Sequence, residues 1–446
     1  MGRICCFRLS FSIPVLFSAF FRSRYNKAMK YLKLIVFMFL FIGCGLGFRY
    51  LLIDDTRSYT RLMMHEFYRQ DNIDVLFVGS SHCYVSLDPA ITDEIFGLNT
   101  FNAGSALQAQ DASFALIREA AERYHVKQVY MEMYYLMMDN DEYHEREQMT
   151  GTYIISDYMR PSLNKLRFLL QAGPPKFFVN SFIPARREWE RLLDPSGVRD
   201  LLIRKQSGDY REYRPMDGYR YKGFVDYEEE ITTGWLLDSA GFDAIHTENA
   251  SADWLKTIRE IIAYCEKKGV QLTLFSAPMT LFQTAGVGNY DDYIALVSSL
   301  VEGTSVRYVD FNLCREEYFP QTTDLFADAG HMNGKGAEQF SRIFAGYFTG
   351  RITDDELFYP SMADKLSAHG PDILGLSFLE SGDGMRKLKI VSTMPEETRY
   401  DVKFTPYEGE QRILMENSDN IYFEIPQEEH GTLTISGGEI TLEMRE

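Results

Sequence analysis

The stretch Ile73-Asp74-Val75-Leu76-Phe77-Val78-Gly79-Ser80-Ser81-His82 decides how this chain is read. Four consecutive apolar residues, Val75 to Val78, end at a glycine. That is the pattern of a strand buried on both faces, as in a parallel sheet, and the strand is expected over 73–78. Outward from it, further strands are expected at 99–102, 127–134, 270–275 and 306–311. Helical periods occupy 112–124, 254–268 and 290–301, and a closing helix is expected at 336–347. Gly269 is placed to end the second of these as a C-cap. Strands alternating with helices imply a parallel sheet covered on both faces. Sites in such sheets form at the carboxyl ends of strands, where Gly79-Ser80-Ser81 falls.

A second short stretch, Asp328-Ala329-Gly330-His331, lies about 250 residues farther on, before an amphipathic helix pattern. Ser81, His331 and Asp328 together supply a nucleophile, a base and an orienting carboxylate, the groups that nucleophilic acyl transfer needs. A serine hydroxyl is a poor nucleophile at neutral pH unless a histidine takes its proton. The competing reading of Ser81 is a serine that caps a strand–helix turn. Among eight histidines, only His331 has an aspartate three residues before it in a loop preceding a helix. Asp324 is a nearby alternative to Asp328. Ser80, His82, Asn102 and Glu132 are candidate pocket residues. Asn102 and Glu132 fit a structural role equally well. His82 reads as a helix-start residue or a supporting donor, because adjacent residues on a turn point apart. Asn333 is placed to cap the last helix.

These motifs resemble those of the SGNH/GDSL hydrolase superfamily, over about residues 70–140 and 250–350. The resemblance implies a flavodoxin-like, three-layer α/β/α domain over 70–350. It carries the nucleophile to Ser81, the last serine of its motif, and the carboxylate and base to Asp328 and His331. The family's second-block glycine matches Gly104 in Thr100-Phe101-Asn102-Ala103-Gly104. The implied oxyanion hole is formed by the N–H groups of Ser81 and Gly104. The family's third-block asparagine has no counterpart in Val129-Tyr130-Met131-Glu132-Met133-Tyr134. One oxyanion donor is therefore unassigned, and loss of such a donor costs roughly 3–4 kcal/mol of transition-state stabilisation.

Within the superfamily the chain is most similar to membrane-anchored proteins of bacterial cell envelopes. These are the D-alanyl transfer protein family of teichoic acid modification and the SGNH proteins associated with polysaccharide O-acetyltransferases. The resemblance implies ester chemistry through an acyl-serine, with cell-surface polysaccharide or teichoic acid as substrate. Water as acceptor makes an esterase, and a sugar hydroxyl makes an O-acyltransferase. A polytopic membrane-bound O-acyltransferase is the implied partner, and no cofactor is implied. The alternative is a catalytically impaired relative that binds glycan or docks such an acyltransferase.

The formal net charge is −18. Residues 1–53 hold eight Lys/Arg and no Asp or Glu, which leaves 38 basic against 64 acidic residues beyond. Such a surface disfavours nucleic acid as a partner, because neutralising phosphates needs clustered cations. Residues 32–53, LKLIVFMFLFIGCGLGFRYLLI, match the roughly 20 apolar residues that cross a bilayer. Basic residues before them and Asp54-Asp55 after them place 1–31 in the cytoplasm and the catalytic domain outside, on a single-pass anchor in the cell membrane. A cleaved signal peptide is the rival reading, but no small-x-small site follows. Phe41-Ile42-Gly43-Cys44 is a weak lipoprotein box inside a run that continues past it. Met29-Lys30 begins an ordinary leader pattern, so the residues before it are either an interfacial segment or a mis-assigned start. The three cysteines beyond the span, Cys83, Cys265 and Cys314, have neither disulfide-framework nor zinc spacing.

Residues 140–250 break the strand–helix rhythm. Amphipathic helices are expected at 161–171 and 185–193, and 208–227 is rich in Tyr, Arg and Gly. This insertion is either a lid or acceptor-binding element or a packed helical cap. Tyr210, Tyr213, Tyr219 and Tyr221 either stack on sugars or form a small core of their own. From 366 to 446 short alternating runs with turn signals indicate a β-sandwich, read as an accessory packing or glycan-binding module or as a spacer.

Overall fold

The opening stretch forms strand β1 (Val75–Val78), buried at all four positions, in the computed structural model. The residues described are 13–53, 55–56, 59–138, 150–172, 175–216, 218–231, 245–382 and 384–445. Residues 1–12 of the expected cytoplasmic stretch, and 139–149 and 232–244 of the insertion, lie outside them. β1 belongs to a five-stranded sheet with β2 (Thr100–Asn102), β3 (Gln128–Glu132), β6 (Gln271–Ser276) and β7 (Arg307–Asp310). The order is β2-β1-β3-β6-β7, and every pairing is parallel. Val75 pairs with Thr100 on one side and Gln128 on the other, and Gln128 pairs with Gln271.

Parallel strands need crossovers, and helices supply them. Helix α3 (Gln110–Arg123) joins β2 to β3, and α4 (Ala252–Lys268) leads into β6. Between β6 and β7 lie α5 (Leu281–Val287) and α6 (Tyr290–Val301). Helix α4 begins at a Ser251 cap and ends at Gly269, whose φ of 68° lets its N–H close on the Cys265 and Glu266 carbonyls. Helix α7 (Gly334–Phe348) packs on the sheet through several aromatic side chains, Phe340 and Phe348 among them, with Phe344 at the centre. The Phe344 ring meets Phe77 of β1, Tyr130 of β3, Phe275 of β6 and Phe311 after β7, with centroids 5.0–5.8 Å apart.

Beyond the parallel sheet the chain forms an antiparallel region of two sheets. One is built from β10 (Tyr400–Pro406), β11 (Arg412–Ser418), β13 (Gly431–Gly437) and β14 (Ile440–Arg445), in the order β11-β10-β13-β14. The other is built from β8 (Ile373–Gly382), β9 (Met385–Ser392) and β12 (Tyr422–Pro426), in the order β12-β9-β8. Strand β8 escapes a sequence reading because Gly375 and two register shifts interrupt its alternation.

The chain forms two compact units. The larger, Asp55–Ser181 with Gln206–Glu446, contains both the parallel sheet and the antiparallel region. There β9 packs on α5, and Lys389 Nζ donates to the Gly286 carbonyl at 2.8 Å. The smaller unit is Met1–Asp54 with Phe182–Lys205. Its helix α1 (Ile13–Leu52) contains a segment, Ala28–Leu52, long and apolar enough to cross a membrane or to act as a signal sequence. The amphipathic helix expected at 185–193 is instead two short 3-10 turns, Pro184–Arg186 and Trp189–Leu193. Neither has a side-chain cap for its first N–H groups, and both pack on α1.

Candidate active site

At the carboxyl end of β1 the chain turns sharply through Gly79, whose φ is 156°. A Cβ there would lie 2.5 Å from the Cβ of Glu132 and 2.6 Å from its Oε2, so only glycine lets Glu132 sit beneath the turn. Glu132 Oε2 accepts the Ser80 N–H at 2.8 Å and the Ser80 hydroxyl at 2.9 Å. Ser80 Oγ in turn accepts the His82 N–H and caps helix α2 (Ser81–Ser86). Ser81 is the first residue of that helix. Its Oγ lies 2.7 Å from His331 Nε2.

His331 is delivered by the loop before α7. Asp328 Oδ1 accepts the Gly330 N–H at 2.9 Å and the His331 N–H at 2.8 Å, which closes the loop into a tight turn. The carboxylate also faces His331 Nδ1, at 2.8 and 2.9 Å from its two oxygens. These partners assign the proton to Nδ1 and leave Nε2 to accept from Ser81. The Ala329 carbonyl accepts both the N–H and the hydroxyl of Thr280, at 3.0 and 2.7 Å. Asn333 Oδ1 accepts the Lys335 and Gly336 N–H groups as the cap of α7, and its Nδ2 donates to the Asp324 carbonyl at 2.8 Å. The Asp324 carboxylate accepts from Thr322, so Asp328 is the carboxylate that meets His331.

Burial alone would raise the Asp328 carboxyl, but hydrogen bonds from the His331 side chain and the loop amides pull it down to about 2. It is therefore ionised at neutral pH. His82 is buried, and its ring lies nearly parallel to that of His331, with centroids 4.4 Å apart and planes at 15°. Tyr134 stands 4.0 Å from the same ring. Burial, with the neighbouring His331, pushes His82 down to about 3, which keeps it uncharged beside His331. Gly330 is necessary to this packing, since a Cβ on it would lie 2.7 Å from His82 Cε1. Gln283 Nε2 donates to the Tyr135 and Tyr134 hydroxyls at 3.0 and 3.3 Å.

Ser80, Asn102 and Glu132 are buried at the base of the turn. Asn102 Nδ2 donates to the Cys83 and Leu87 carbonyls at 2.9 and 3.0 Å, tying β2 to α2. Its Oδ1 accepts the Gly104 N–H at 3.1 Å, so the group expected to face an oxyanion is directed at a buried side-chain oxygen instead. The Ser81 N–H takes no acceptor among the described residues. Cys83 is buried against this turn, and its thiol is pushed up by burial and by Glu132.

The insertion reaches the site through a hairpin of β4 (Tyr219–Tyr221) and β5 (Phe224–Val225). Lys222 O accepts the Asn102 N–H, and Tyr227 O accepts the Gly334 N–H. The Tyr227 ring lies 6.3 Å from that of His331, and its hydroxyl is 3.1 Å from that of Tyr84. Tyr227 also lines an open groove of about 610 Å³ with Asp88, Glu230, Asn333, Lys335 and Arg342. The insertion's other tyrosines serve their own surroundings. Tyr210, Tyr219 and Tyr221 donate to Asp55, Glu66 and Asp88, and Tyr213 stacks on His65. Tyr134, Tyr227 and Gln283 are site residues that sequence reasoning misses. Tyr134 lies two residues past the end of β3, a signal within reach of the sequence, whereas Tyr227 and Gln283 belong to no motif. Among the described residues no group of three His, Cys, Asp or Glu side chains is arranged to hold a metal ion.

No model of a known protein family matches the chain, and no curated protein matches it. Among solved structures, it is similar to a Streptococcus pneumonia protein provisionally described as a platelet activating factor. The two share 12% identity over 68% of this chain and 95% of the other, with a TM-score of 0.29. At that level of agreement the likeness carries no argument about activity.

Proposed function

We propose that this chain is a membrane-anchored, SGNH-type serine O-acyltransferase or acyl esterase of the cell envelope, working through an acyl-serine. The observation that carries the proposal is the continuous chain of contacts from Ser81 Oγ to His331 Nε2 and from His331 Nδ1 to the Asp328 carboxylate. Ser81 Oγ attacks the carbonyl carbon of an ester, and its proton passes to His331 Nε2. Asp328 stabilises the imidazolium that results. The tetrahedral adduct collapses, the C–O bond to the leaving alcohol breaks, and that oxygen takes the proton from His331. A second acceptor, water or a sugar hydroxyl, then gives its proton to His331 and attacks the acyl carbonyl; the acyl–Oγ bond breaks, Ser81 Oγ takes that proton back from His331, and the acid or the transferred ester leaves. The Ser81 N–H is the donor assigned to the oxyanion. The sheet order, which reverses at β1 where Ser81 is mounted, supports a flavodoxin-like three-layer arrangement. The apolar span, read as an anchor with the rest of the chain outside, supports a substrate at the cell surface, a glycan or teichoic acid. In this reading the acceptor comes in along the open groove lined by Tyr227, whose ring lies 6.3 Å from that of His331. A polytopic O-acyltransferase as donor partner belongs to the same proposal.

One observation favours a second reading. The Gly104 N–H is committed to Asn102, and residues 129–134 contain no asparagine, so the oxyanion site is short of donors. A glycan-binding or docking relative with weak chemistry fits that shortage. Intact-mass analysis of the purified chain after treatment with a serine-reactive phosphonate separates the two readings. A single adduct, absent from Ser81→Ala, is expected for the enzyme. A folded chain that takes no adduct overturns the enzymatic reading.

A further inference from the structure

The smaller compact unit presents apolar side chains to solvent beyond those of its long helix. Along α1 the apolar side chains between Tyr31 and Ile42 are open, as a lipid-facing span requires; Leu34, Phe39 and Leu40 are examples. Burial begins only at the far end, where Leu52 and Ile53 are covered. The turns Pro184–Arg186 and Trp189–Leu193 pack on this helix. Lys205, itself buried, donates from Nζ to the Tyr50 carbonyl at 2.7 Å and to the Ile53 carbonyl. A cation on the last carbonyls of a helix satisfies acceptors that have no partner within the helix. Residues 182–205 are thereby fastened to the end of the apolar span. Yet Phe182 is 56% exposed, Trp189 52% and Leu193 72%, and Leu192 and Ile203 are exposed beside them. Arg186 and Arg199 are exposed among them, as are the acidic Glu190, Asp194 and Asp200. Open apolar and aromatic side chains interleaved with arginines suit the boundary between lipid headgroups and acyl chains.

We infer that residues 182–205 form a second membrane contact, an interfacial element of the outer leaflet. Trp189, Leu192 and Leu193 enter the headgroup boundary, and Arg186 and Arg199 lie at lipid phosphates. The occupant of this surface is the bilayer that α1 crosses, because the element is fixed to the end of that helix. The inference rests on the membrane-anchored reading proposed above, and the test keeps the two separate.

The chain has three tryptophans, Trp189, Trp235 and Trp254, and Trp254 is fully buried. The full-length chain carrying Trp235→Phe is reconstituted into nanodiscs of phosphatidylethanolamine and phosphatidylglycerol brominated near the headgroup. The expected result is loss of the Trp189 part of the emission, with the Trp254 part retained, and no bromolipid effect once Trp189→Phe is added. Emission insensitive to bromolipid but quenched by aqueous acrylamide overturns the second contact. Carbonate extraction of membranes bearing the same chain is run alongside. A retained chain with water-exposed Trp189 refutes the interfacial element alone, whereas a chain released by carbonate overturns the anchor and the element together.

Discussion

Glu132 shows how a single buried carboxyl can set the shape of a turn. It receives two hydrogen bonds from Ser80, but burial dominates and pushes it up to about 7. A carboxyl raised on folding binds its proton more tightly in the folded state. Stability therefore falls as pH rises from its ordinary 4.5 through about 7, and stays lowered above. Glutamine retains an oxygen that can accept both Ser80 donors and cannot ionise. Glu132→Gln is expected to match the parent in acid and exceed it above neutrality by, at most, a few kcal/mol. Urea midpoints measured from acid to mildly alkaline pH check this, and identical pH dependence in the two proteins would count against it. Ser81, His331 and Asp328 were legible at this scale because their spacing and setting are local. The roles of Asn102 and Glu132 were not, since each is defined by a partner on another strand or helix.

At the scale of elements, α7 holds His331 in place. Its cap, Asn333, follows His331 by two residues, and its Phe344 packs against rings from or beside four strands. Phe344→Ala removes a large buried ring from that junction, at an expected cost of about 3–5 kcal/mol. Phe344→Leu is expected to lose less, and thermal denaturation of the two variants reads the difference. Equal stability of Phe344→Ala and the parent would show that the helix is held otherwise. Helix α7 and the strands of the parallel sheet were readable from their apolar patterns, with Gly79 as a stop directly after β1. Strand β8 and the turns at 184–193 were not. In the first, bulges erase the alternation; in the second, the turns pack on α1, a partner remote in the sequence. Gln283 meets Tyr134 across 149 residues of chain, a contact no local pattern encodes.

At the scale of the whole molecule, the antiparallel region and the parallel sheet belong to one compact unit. The larger unit is therefore expected to unfold in a single thermal transition, with β9 held to α5 until the end. Two well-separated calorimetric transitions from the detergent-solubilised chain would show instead that the antiparallel region folds alone. The alternating runs after residue 385 made that region visible in the sequence, but its attachment through Lys389 and Gly286 spans 103 residues and was not. Ser81 and His331 stand 250 residues apart in the chain. A ribosome adding about 5–20 residues per second needs on the order of tens of seconds to make that stretch. Through that interval the serine exists without its histidine. The newborn chain thus carries Ser81 without the His331 imidazole beside it until nearly the whole parallel sheet has been made.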